Sequence, residues 1–146
     1  MDEFKQRHFA ESHPGAARIF IEPLPGSAVK EIRATLQKRL IHVEAGNEFS
    51  LVNQIRARAV PLRGVNAGDD GFQLEQVFWR LQLHPRDVVF VNWGRFESID
   101  SISFAELTRY FNDIWYPSSD DIEIFDSTFH WIVSISHSGD VLLTKL

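Results

Sequence analysis

Downstream of Pro117 the apolar residues recur at every second position in three short runs, Ile122–Phe125, His130–Ile135 and Val141–Thr144. A two-residue period sends alternate side chains to opposite sides of an extended strand. The connections, residues 126–129 and 138–140, are short and rich in Asp, Ser and Gly, which suits tight reversals. This pattern predicts a three-stranded antiparallel meander, with Trp131, Val133 and Ile135 sharing one face of its middle strand as core. Upstream, Asp87–Trp93 is a β-branched and aromatic run of strand length, continuous enough to be buried on both faces.

Helical periodicity marks three further segments. After the turn-forming Glu22–Gly26, with its two prolines, Ser27 is the expected N-cap of a helix. Val29, Ile32, Leu36, Leu40 and Val43 form its apolar stripe, and it ends near Gly46. A second helix is expected through Leu74, Val77, Phe78 and Leu81, with Asp70 as N-cap and His84-Pro85 as its stop. The third carries the clearest local signal in the chain. Ser103 and Glu106 have capping-box spacing, Ile102 and Leu107 occupy staple positions, and Phe104, Leu107, Phe111 and Ile114 follow at helical spacing up to Pro117. Residues 48–60 fit a helix through Phe49, Val52, Ile55 and Ala59, and a strand face through Leu51, Ile55, Ala57 and Ala59. Both assignments stay open there. Together these elements predict one α+β domain over residues 1–146, with about three helices packed on one face of a mostly antiparallel sheet that ends in the meander.

Composition narrows the chemistry. A chain of 146 residues can bury a substantial core without staples, and the absence of cysteine excludes disulfides, thiol nucleophiles and zinc-thiolate sites. The N-terminal stretch has no apolar signal region and no run approaches the length of a membrane span, so no membrane association and a cytoplasmic location are expected. The formal net charge of −5 is unevenly distributed. Residues 1–96 hold 13 Lys and Arg against 11 Asp and Glu, whereas residues 97–146 hold 2 against 9. Such a C-terminal third disfavours a phosphate backbone and favours a basic partner. The basic residues Lys30, Arg33, Lys38, Arg39, Arg56, Arg58 and Arg63 come with no nucleic-acid motif and read as a solvated face.

Among catalytic signatures the chain has no Gly-rich phosphate loop, no nucleophile elbow and no helical pair of metal-binding histidines. Ser136 and His137 are strand neighbours, which point to opposite faces and cannot act as nucleophile and base. The dense polar group is Asp120, Asp121, Glu123 and Asp126, followed by His130, His137 and Asp140. Paired strands bringing these together would suit a hard divalent cation, and a metal-assisted enzyme is the alternative function. The same residues also suit turns and a half-exposed strand, and no metal or cofactor is assigned. Trp115 and Tyr116, at the end of the third helix beside these carboxylates, have the character of a protein-binding hot spot.

The stretch WYPSSDDIEIFDSTFHWIVSISHSGDV, from Trp115 to Val141, resembles a segment of small uncharacterised bacterial proteins, some of which look like immunity partners of polymorphic toxins. The likeness covers under a fifth of the chain and includes no catalytic motif. It implies a fold element more than an activity; small size, acidity and the absent active-site motifs add the expectation of a non-enzymatic protein-binding module, of immunity-inhibitor type, that presents an acidic C-terminal surface to a basic protein. Trp115, Tyr116, Asp120, Asp121, Glu123 and Asp126 are the expected contact residues.

Overall fold

Ser103 ends a strand and opens a helix, and the switch depends on its side chain. Its Oγ accepts the Glu106 N–H at 3.1 Å, which satisfies one of the orphan donors of the first turn. The Glu106 carboxylate accepts from the Ser103 hydroxyl at 3.1 Å instead of reaching the Ser103 backbone N–H, so only half of a capping box forms. In the computed structural model, which describes residues 3–14, 19–40 and 50–146, this junction joins β4 (Ile99–Ser103) to α5 (Phe104–Ile114). Ile102 and Leu107, at the staple positions, are both buried.

The other elements are α1 (Glu3–Ser12), β1 (Glu22–Pro23), α2 (Gly26–Leu40), α3 (Leu51–Arg58), β2 (Val60–Asn66), α4 (Leu74–Arg80), β3 (Val88–Asn92), β5 (Ile122–Asp126), β6 (Trp131–Ile135) and β7 (Asp140–Lys145). The seven strands form one antiparallel sheet in the order β1-β4-β3-β5-β6-β7-β2. The meander β5-β6-β7 stands as the period-two pattern predicted. Strands β4 and β5 flank β3 and are both antiparallel to it, so α5 connects two parallel strands with one strand between them. At the edges, β1 is two residues long with Pro23, and β2 carries Pro61 and a register shift before Asn66. Short, proline-bearing or bulged edges resist pairing with another chain.

The expectation of helices on a single face is corrected. Val89, Val91, Ile102, Ile124, Trp131 and Val133 lie in phase on one face, where Phe78 of α4 packs edge-on against Trp131 at 5.4 Å and against Phe104 of α5 at 4.8 Å. Phe90, Phe125, Ile132 and Thr144 lie on the other, where the Thr144 hydroxyl donates to the Ile55 carbonyl of α3 at 3.1 Å and α2 packs beside α3. The reason is in the strands themselves. Every residue of β5 and β6 is buried, so neither strand has a side left for water.

Among the described residues five helices stand where about three were expected. The open question at residues 48–60 resolves as a helix for its described part: Ser50 caps α3 by accepting the Asn53 N–H at 3.3 Å, Leu51, Ile55 and Ala57 of the alternative strand face lie in that helix, and β2 begins only at Val60. Two caps are corrected. Helix α2 starts at Gly26, with the Val29 N–H on the Pro25 carbonyl, so Ser27 lies inside its first turn. Helix α4 starts three residues after Gly71, whose φ of +80° turns the chain first, and its N-cap is Gln73 rather than Asp70. Its end is set before Pro85. Gln82 is left-handed, and the N–H groups of Gln82 and Leu83 return to the Trp79 and Phe78 carbonyls, closing a Schellman motif. Val43, Gly46, Glu48 and Phe49 lie outside the described residues. Among the described residues no helix is long and apolar enough to cross a membrane.

Trp131 stands at the centre of this packing, buried beneath Phe78. Trp131→Ala is expected to lower unfolding free energy by about 3–5 kcal/mol through lost burial and a residual cavity, measured by chemical denaturation. A loss under about 1 kcal/mol would place the ring outside the core.

Candidate functional site

The carboxylates between Asp120 and Asp126 are close in sequence and divided in space. Strand alternation already separates Glu123 from Asp126, because an odd spacing puts them on opposite faces. Asp120 lies on the α5 side and Asp121 on the α3 side: Asp120 pairs with Lys5 of α1, Asp121 with Arg56 of α3 at 3.1 Å. The fold places the expected contact residues in different surroundings. Asp126 is wholly buried and closes the β5–β6 turn, accepting the Thr128 N–H at 2.9 Å and the Arg86 N–H at 3.0 Å. Glu123 is 1% exposed. Trp115 is buried against Phe111, with its indole N–H on the Asp120 carbonyl at 3.1 Å, and is a plug rather than an anchor. Tyr116 and Asp120 are half-buried and engaged with α1, while Asp121 is half-buried at the rim.

On the α3 side, Asn92, Glu123 and Ser134 form a polar row across three neighbouring strands. The Asn92 amide donates to Glu123 Oε2 and to the Gly94 carbonyl at 2.8 Å, and its Oδ1 accepts the Phe96 N–H at 2.8 Å. Asn92 thus holds the β3–β4 connection as well as the carboxyl. Ser134 stands opposite Glu123, and its buried Oγ has no hydrogen-bond partner among the described residues. Burial pushes the Glu123 carboxyl up to about 7; the Asn92 hydrogen bond and Arg56 oppose the rise and Asp121 adds to it. At the rim, partial burial raises Asp121, but hydrogen bonds from the His137 backbone and ring, and the Arg56 guanidinium, outweigh it and hold this carboxyl below its ordinary value.

On the α5 side the ammonium of Lys5 sits 4.3 Å from the centre of the Trp93 ring and 5.2 Å from that of Tyr116, and pairs with Asp120. The Trp93 indole N–H is fixed by Asp100 at 2.8 Å, and the Tyr116 hydroxyl meets His8 Nδ1 at 3.1 Å. Asp120 also accepts the Tyr116 N–H at 2.7 Å, so the carboxylate and one aromatic wall are set by the same turn. Sequence pattern did not single out Lys5 or Asn92. A lysine and an aspartate 115 positions apart carry no joint local signal.

Chemically, the two halves differ. A carboxyl such as Glu123, which burial pushes up to about 7, has general-acid character and also couples stability to pH. No three of the described His, Asp and Glu side chains gather as metal ligands, so the cluster expected from Asp120, Asp121, Glu123, Asp126, His130, His137 and Asp140 does not assemble. Ser136 and His137 have separate partners, Ser138 at 2.7 Å and Asp121 at 3.0 Å. No protein-family model, curated protein or solved structure matches the chain.

Glu123 makes stability depend on pH. Between the ordinary carboxyl value of 4.5 and about 7 the folded chain keeps a proton that the unfolded chain releases. The stabilisation is complete below that window and is lost as pH rises through 7, at up to about 1.4 kcal/mol per pH unit. Glu123→Gln keeps an acceptor for Asn92 and adds a donor toward Ser134, so its contribution does not titrate. Denaturation at pH 5 and pH 8 is expected to show the wild type losing stability relative to this variant; parallel values would refute the assignment.

Proposed function

We propose that this chain is a non-enzymatic protein-binding module, an immunity-type inhibitor in character, that acts by occupying a basic partner. The supporting observation is Trp79. This side chain is 80% exposed on α4, the helix whose Gln76 and Arg80 line a depression of about 210 Å³ together with Asp69 and Asp70. A projecting indole on a helix that also borders a depression with carboxylates and an arginine has the composition of an interface hot spot. The recognition surface is thereby moved from the buried Trp115, Glu123 and Asp126 to the outer side of α4. The overall charge of −5 supports steering toward a basic protein. The acidic side chains beyond residue 96 add less to that surface than their number suggests, since only Glu97 and Asp140 are fully exposed.

Trp79→Ala is expected to leave thermal stability nearly unchanged, because an exposed ring contributes little to the core. Against a partner cross-linked to the chain in native extracts and then purified, the same variant should bind at least tenfold more weakly in calorimetry. Equal affinity for wild type and variant would refute this surface.

A further inference from the structure

The connection between β2 and α4 carries two carboxylates in sequence, Asp69 and Asp70. Both residues are exposed, and among the described residues neither carboxylate has a hydrogen-bond or ion-pair partner. This sets them apart from Asp120, Asp121, Glu123 and Asp126, each of which is bound to another group of the protein.

Asp69 and Asp70 line the depression of about 210 Å³ that Gln76 and Arg80 of α4 also border. Its lining is amphipathic. Phe72 and Val77 supply apolar surface, while Gln76 gives an amide N–H to Gln73 at 2.7 Å and keeps its own amide oxygen as an acceptor. Arg80 donates to the Arg63 carbonyl of β2 at 3.4 Å, so the lining sets two carboxylates against one guanidinium and carries a net charge of −1. Drug-sized ligands occupy pockets of roughly 300–1,000 Å³, and this smaller depression suits a single side chain. Trp79 stands one helical turn after Gln76, and a helical side chain leans toward the N-terminus, over the turn before its own Cα. The exposed ring therefore shares a strip of α4 with the Gln76 border of the depression.

We propose that the depression is a subsite for an arginine side chain of a basic partner protein. Asp69 and Asp70 take the guanidinium, Phe72 and Val77 receive its methylene stem, and Trp79 packs on the same segment of the partner. Charge complementarity names the occupant, since one added cation brings the lining to neutrality. A guanidinium offers five N–H donors in a fixed fork, enough for two carboxylates and the Gln76 oxygen, whereas an ammonium offers three on a more strongly hydrated centre. Its stem suits apolar walls while its head stays among polar groups. The inference rests on the protein-binding reading of the α4 surface and names the chemical group that surface recognises.

The probe is N-acetyl-L-arginine amide, titrated into the full chain and followed by nitrogen–proton correlation NMR. Saturable shifts with millimolar affinity are expected for the amides of residues 69–80. The lysine counterpart should bind more weakly, and the citrulline counterpart, which keeps the shape without the charge, at least fivefold more weakly. Asp69→Asn combined with Asp70→Asn should weaken the arginine amide at least fivefold at an unchanged melting temperature, because both side chains are exposed. If the double variant does not fold, Asp70→Asn alone carries the same comparison. Free L-arginine should bind no more tightly than the amide, because its carboxylate meets Asp69 and Asp70; tighter binding would make this a metabolite pocket and overturn the protein-partner assignment. No saturable shift at these residues, or equal binding of the arginine and citrulline amides, would also overturn it. The titration uses no partner protein, so failure of the subsite and failure of Trp79→Ala to weaken the partner are read separately.

Discussion

Burial of both faces of β5 and β6 is the constraint on which the rest of this structure depends. In a strand with no solvent side an unpaired polar side chain is costly, a demand for internal partners that in β5 and β6 only the Ser134 hydroxyl leaves unmet among the described residues. Glu123 meets that demand by taking an amide from Asn92, its carboxyl pushed up by burial; Asp126 meets it by closing a turn. The same demand places Thr144 on a carbonyl of α3, tying the last strand to the second helical layer.

The fate of the acidic residues follows from this. Clustering in sequence suggested a charged surface, whereas the pleat distributes these carboxylates to two sides of the sheet and gives most of them an internal task. Asp120 receives a lysine from the first helix, and Asp121 an arginine and a histidine from α3 and the β6–β7 turn. Charge in the C-terminal third is thus largely a means of fastening helices to the sheet. Among the described large hydrophobic side chains the most exposed is Trp79, on a short helix stopped by its own left-handed Gln82.

Much of this architecture was legible locally. Period-two alternation located β5, β6 and β7, the continuous apolar run located β3, and the Ser103–Glu106 spacing located the start of α5. These signals arise within a few residues of backbone, where a strand alternates its side chains and a helix needs an acceptor for its first N–H groups. The parity of Glu123 and Asp126 was equally readable and excluded a common surface for the pair. Apart from the continuous run of β3, which reads as buried on both faces, no local pattern contained the covering of the second face. Alternation tells which residues share a side, but whether that side meets water depends on α2 and α3, which arrive from the other half of the chain.

The amino-acid sequence by itself determined the α+β class, the closing meander, the apolar stripes of α2 and α5, and the absence of thiol chemistry. Tertiary structure alone decided the placement of Lys5 between Trp93 and Tyr116, the upward shift of the Glu123 carboxyl, the burial of Trp115 and the exposure of Trp79. The physical reason is range. Capping, turns and periodicity are properties of neighbours in sequence, whereas cation–π contact, desolvation and exposure belong to groups that only the folded chain brings together or leaves apart.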